Sequence, residues 1–218
     1  MAKARKTRPA GKAGRKTKTT AGSGRKEERR TAILEAARGV FARQGYHRAT
    51  VEDIVGAAGV ARGTFYLYFD DKRAVFAELV DRFWSRLTVA IVRIVTDDAE
   101  RPVRDQVREN IRGVVAVCLA EREMTKILLG DVVGNDASYD RKLLTFYDEV
   151  VQLLAHSLRD GQTRGIVRDG EPRVLAYLAI GAVKELMYQM VTLGLREESA
   201  EVVTEQVYEF LRGGFLNV

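Results

Sequence analysis

The sequence holds one cysteine, Cys118, in 218 residues. A single thiol excludes an intramolecular disulfide and any four-cysteine metal site. The two histidines, His47 and His156, stand far apart in the chain and in different expected domains. No phosphate-binding glycine loop, metal-ligand cluster or Ser/His/Asp pattern accompanies them. These absences argue against an enzyme, and no catalytic residue, metal or cofactor is expected. No run of about 18 apolar residues exists, so no membrane-spanning helix is expected. The N-terminal stretch lacks the apolar segment of a signal peptide. A cytoplasmic protein with no membrane partner fits all of this. Acidic residues are missing from one region: residues 1–26 contain ten Lys/Arg (Lys3, Arg5, Lys6, Arg8, Lys12, Arg15, Lys16, Lys18, Arg25 and Lys26) and no Asp or Glu. The rest of the chain carries 26 Lys/Arg against 30 Asp/Glu, a net charge of −4. The basic character therefore belongs to the first residues, read as a flexible arm whose natural partner is a polyanion.

What is present is helical periodicity. Ile33, Leu34, Ala37, Val40 and Phe41 recur on one helical face, and Gly45 is placed to end that helix. Thr50 with Asp53 three residues later has the spacing of a capping box, with Asp shorter than the usual Glu. A short helix over 51–57 ends at Gly59, and a second follows over 61–67. Asp70 or Asp71 then caps a long helix whose apolar spacing runs from Val75 to Val95. Further helices are expected over 102–121, 123–133, 138–163, 172–194 and 199–213, with glycines and Pro172 between them. No strand-like alternation persists. The expected fold is all-α with about nine helices. It divides into a basic arm (1–26), a three-helix N-terminal domain (27–72), and a larger helical domain (73–218).

Two short helices joined by a glycine turn, behind a longer supporting helix, have the layout of a helix-turn-helix. Ala57 and Ala58 are small enough for close packing. Ile54 and Val60 supply the apolar staple between the helices. The outer face of the second helix is left to enter a major groove. The stretch from Thr50 through Ile54, Ala58-Gly59-Val60, Gly63, Tyr66, Tyr68-Phe69 and Lys72 closely resembles the signature of TetR-family regulators, T-x-x-x-I-A-x-x-A-G-V-S-x-G-x-x-Y-x-Y-F-x-x-K. The resemblance is good over about 29–85. Two positions depart from it: Ala61 stands where Ser is common, removing a side-chain cap worth about 1 kcal/mol, and Val55 replaces Ala.

The resemblance implies a ligand-responsive repressor that binds a palindromic operator as a homodimer. It assigns DNA contact to Thr50, Arg62, Gly63, Thr64, Tyr66, Tyr68 and Lys72, with Phe65 and Phe69 turned to the core. Their chemistry agrees. A helix N-terminus at Thr50 suits a phosphate, and arginine suits guanine. Lys72 offers a point charge and the tyrosines offer hydroxyls. The last two helices are expected to form the dimer interface. A small, largely apolar effector is expected against Trp84, Cys118, Met124, Leu128, Phe146, Tyr147, Tyr177 and Met187, residues that also read as ordinary core. Lys184 and Glu185, within an apolar stretch, suit either a polar ligand group or a dimer rim. The competing reading is an architectural or partner-controlled DNA-binding protein with no small-molecule effector.

Overall fold

The computed structural model describes residues 19–96, 98, 100–130, 137–193, 200–214 and 216–217. Among them run nine helices: α1 (Thr19–Gln44), α2 (Val51–Ala58), α3 (Arg62–Tyr66), α4 (Lys72–Ala90), α5 (Val103–Ala120), α6 (Arg122–Gly130), α7 (Ala137–Thr163), α8 (Pro172–Leu193) and α9 (Ala200–Gly214). The only β pairing among the described residues is an isolated bridge between Val167 and Leu216. The first helix starts at Thr19, within the stretch read as a basic arm. Lys3 to Lys18 lie outside the described residues.

The apolar face expected on α1 is the one buried: Ile33, Leu34, Ala37, Val40 and Phe41. The helix stops where Gly45 takes φ 79°, and the Gly45 amide donates to the Phe41 carbonyl at 2.9 Å. Only glycine holds that left-handed backbone without a Cβ penalty. α1 packs on α2, α4 and α6. One continuous buried cluster joins Ile54 and Phe65 of the head to Cys118, Leu128, Phe146 and Met187 of the larger region. Head and body therefore share an apolar core, so a shift in one has a packed route to the other.

The long helix ends earlier than its apolar spacing suggests. α4 closes at Ala90, and Ile91 turns to extended backbone at ψ 115°. Two side-chain amides on α5 explain the change. Asn110 donates to the Val92 carbonyl at 2.8 Å and accepts from the Val92 amide at 2.7 Å. Gln106 does the same for Val95, at 2.8 Å in each direction. These pairs satisfy backbone groups that a continuing helix would have used internally. A Cβ on Gly113 would meet the Ala90 carbonyl oxygen at 2.6 Å, so α5 crosses the end of α4 at a glycine.

α8 also departs from expectation. It is 22 residues long, with a most apolar window of mean hydropathy 1.3, long and apolar enough to cross a membrane. Here it packs on α7 and α6, burying Leu175, Ala176, Ala179, Met187 and Met190. Its other face is open. Val174, Tyr177 and Leu178 are exposed, as are Val202 and Phe210 on α9. Nothing lies near the Cβ position of Gly181.

Candidate nucleic-acid interface

Thr50 caps α2 with a complete box. Its hydroxyl accepts from the Asp53 amide at 3.1 Å, and its own amide donates to the Asp53 carboxylate at 2.9 Å. The shorter aspartate therefore reaches the cap. The Thr50 hydroxyl and amide and the Gln44 amide side chain hold the Asp53 carboxyl below the usual carboxylate range. Ile54 is the buried residue of α2, and Gly59 turns the chain at φ 64°.

Five residues form α3, and its N-cap, Ala61, makes no side-chain hydrogen bond. This is the consequence expected where serine is missing. Phe65 and Phe69 anchor the element: both are buried, with rings 5.9 Å apart. That anchoring turns the opposite face outward. Arg62, Gly63 and Tyr66 are exposed, Thr64 and Tyr68 half-buried. A Cβ on Gly63 would meet nothing within 4 Å.

Arg62 is held ready on this face. It forms an ion pair with Glu52 of α2, donates to the Tyr66 hydroxyl at 3.4 Å, and lies 5.8 Å from the Tyr66 ring centroid. The hydrogen bond to Tyr66 and the charge of Glu52 both favour the guanidinium. Glu52 escaped the sequence reading because no helical spacing links positions on two different helices. Leu67, directly after α3, is 76% exposed.

Lys72, expected as a point charge for DNA, is half-buried and engaged within the fold. Its ammonium donates to the carbonyls of Tyr46 and Ala49, each at 2.9 Å, and of His47 at 3.2 Å. It also stands 4.4 Å from the Tyr46 ring centroid. Lys72 thus locks the α1–α2 connection onto the start of α4.

The residues expected to line an effector space are mostly brought together. Cys118, Met124, Leu128, Phe146 and Met187 are buried in one cluster, with Trp84 and Tyr147 packed against it. Burial pushes the Cys118 thiol up to about 11 and the Tyr147 hydroxyl up to about 12; the latter donates to the Leu128 carbonyl at 2.7 Å. Tyr177 does not join them. It is 53% exposed on α8 and receives a hydrogen bond from Arg173. Lys184 is half-buried, 5.8 Å from the Tyr147 ring centroid, and Glu185 accepts from Gln189 on the same helix. Two open grooves, of about 400 and 590 Å³, lie elsewhere: one beside Val89 and Val117, the other beside Arg43 and Lys126. Among the described residues no group of His, Cys, Asp and Glu has the arrangement of a metal site.

Residues 33–79 match the family described as bacterial regulatory proteins, tetR family. The HTH-type transcriptional repressor BepR of Brucella suis biovar 1 is 40% identical over 142 residues, 63% of this chain and 68% of BepR. The uncharacterized HTH-type transcriptional regulator YdgC of Bacillus subtilis is 27% identical over 193 residues, 86% of this chain and 95% of YdgC. Among solved structures, FadR of Bacillus subtilis in complex with stearoyl-CoA superposes with a TM-score of 0.67 at 22% identity, covering 84% of this chain and 98% of FadR. That likeness concerns the fold.

Proposed function

Because the chain belongs to the TetR family of bacterial transcriptional regulators, we propose that it acts as a homodimeric repressor, binding a palindromic operator and leaving it when a small, largely apolar effector binds. The observation that carries this reading is the outward surface of α3. Arg62, Gly63 and Tyr66 are exposed because Phe65 and Phe69 are buried beneath them. An arginine with a neighbouring tyrosine and an unobstructed glycine suits the edge of a major groove. Thr50, Thr64 and Tyr68 flank that surface. Lys72 supports it from behind.

Dimerisation is supported by the open apolar face of α8 and α9, where Val174, Tyr177, Leu178 and Phe210 are exposed. A twofold pairing there would match an operator with symmetric half-sites. The effector reading is supported by the methionine- and aromatic-rich cluster around Cys118, Phe146 and Met187. Its side chains fill the interior of this protomer, so an effector would enter by repacking them. That repacking would shift α6, whose Met124 and Leu128 belong to the cluster, against α1. Such a ligand acts only through a difference in affinity between two states. A cytoplasmic location follows from the reading.

The test is a footprint of the purified protein on DNA upstream of its own coding sequence, with stearoyl-CoA titrated as the first effector probe. A symmetric protected site, lost as the probe is added, is the expected result. Uniform protection of unrelated duplex would overturn the operator reading in favour of an architectural DNA binder. A symmetric site unaffected by stearoyl-CoA, with no small molecule retained in native mass spectrometry, would remove the effector half.

A further inference from the structure

Surface arginines in several parts of this fold face carboxylates. Arg82 pairs with Glu78, Arg112 with Glu201, Arg173 with Asp148 and Arg212 with Glu209. One groove departs from that pattern. It holds about 590 Å³ and is lined by Ala42 and Arg43 of α1, Arg122, Glu123 and Lys126 of α6, and Val191 of α8. Three cations share it with one acid.

That acid is already engaged. The Glu123 carboxylate accepts from Arg38 at 2.7 Å. Arg43 and Lys126 are exposed, and among the described residues neither has a hydrogen bond or an ion pair. Gly39 lets the Arg43 guanidinium lie toward α6: a Cβ there would stand 3.2 Å from Arg43 Nη1 and 3.9 Å from Glu123 Oε1. Arg122 is half-buried. Its Nη2 donates to the Met190 carbonyl at 3.0 Å, which fixes the guanidinium against the end of α8. Arg122 and Lys126 stand four residues apart on α6, so their Cβ atoms are about 6 Å apart on one face. Like charges at that spacing repel, and a bound anion would relieve the repulsion.

Guanidinium forks and a lysine ammonium are the groups that hold phosphate oxygens. The groove has the size of a small-molecule site, and Ala42 and Val191 give it an apolar flank. We propose that it binds a phosphate-bearing small molecule, whose phosphate is held by Arg43, Arg122 and Lys126. This ligand sits outside the apolar cluster and needs no repacking of Cys118, Phe146 or Met187. Arg43 belongs to α1 and the other two cations to α6, so the bound phosphate ties the supporting helix of the head to the body. It favours the arrangement in which the two lie this close.

The experiment is calorimetric titration of the full chain with inorganic pyrophosphate, at an ionic strength held constant with sodium chloride. The expected result is saturable binding of one pyrophosphate per protomer. Changing Arg43 and Lys126 together to Gln should weaken it at least about tenfold, as two charge-assisted contacts are lost. Lys126→Gln alone should give part of that loss. Arg112→Gln, at a surface arginine paired elsewhere, should leave binding unchanged. The double variant should keep its thermal midpoint, because neither side chain has a partner in the fold to lose. Absence of saturable binding to the wild type overturns the proposal, as does a folded double variant that binds like the wild type. A double variant weakened for duplex DNA but not for pyrophosphate also overturns it, and gives these cations to the nucleic-acid surface.

Discussion

The Lys72 ammonium sits 2.9 Å from the Tyr46 carbonyl oxygen and 4.4 Å from the centre of the Tyr46 ring. Tyr46 is fully buried, stacked on Tyr139 of α7 at 4.2 Å. The first residue of α4 is thereby tied to the α1–α2 connection and, through one ring, to the larger helical region. Lys72→Ala should lower stability by about 1–3 kcal/mol, because partly buried carbonyls lose a charged donor. Urea unfolding checks this. A variant that loses DNA binding with unchanged stability would show that Lys72 acts chiefly at a phosphate.

Gly63 separates folding from binding. With open space at its Cβ position and no positive φ, Gly63→Ala should leave the fold intact or stabilise it by up to about 1 kcal/mol through helix propensity. Operator affinity should fall tenfold or more, because the added methyl stands where the groove approaches. The thermal midpoint and anisotropy together read both effects.

Glu121, at the end of α5, gathers Arg38 of α1 at 3.5 Å and Arg86 of α4. Its side chain is only 12% exposed, so removing it leaves two guanidiniums without their shared acceptor. Glu121→Ala should cost about 1–2 kcal/mol, discounted because Arg38 and Arg86 remain partly in solvent. A double-mutant cycle with Arg38→Ala should show non-additivity; additive costs would mean the contact carries no coupling.

Cys118 should react slowly in the native protein. Burial favours its neutral thiol, so the folded group ionises near pH 11 where an ordinary one ionises near 9.0. Alkylation by iodoacetamide at pH 8 should be at least a hundredfold slower than in urea. The sign for stability follows. Below pH 9 both states hold the proton and nothing is lost; between about 9 and 11 the unfolded thiol ionises first, and stability falls as pH rises.

The open face of α8 gives a test of assembly. Leu178 is 61% exposed beside Tyr177 and Val174. Leu178→Glu should yield a folded monomer by sedimentation, with weaker operator binding. An unchanged dimer would move the interface elsewhere.

Short-range chemistry in the sequence was enough to determine the recognition unit. The Thr50–Asp53 cap and the Gly59 turn each depend on neighbours a few residues away, and the family resemblance turns Phe65 and Phe69 inward, where they join Ile54 in the cluster built on α1 and α4. The same holds for most helix boundaries. Tertiary structure decided the rest. α4 ends at Ala90 because amides on α5 claim the next backbone groups. Arg62 meets Glu52 across a turn, and Lys72 is held by carbonyls more than twenty residues earlier. Tyr177 fell outside the core because α8, apolar around much of its circumference, was buried on the side that α6 and α7 offered. A side chain's hydrophobicity marks it for burial, but which partner covers it depends on distant segments that no local pattern encodes.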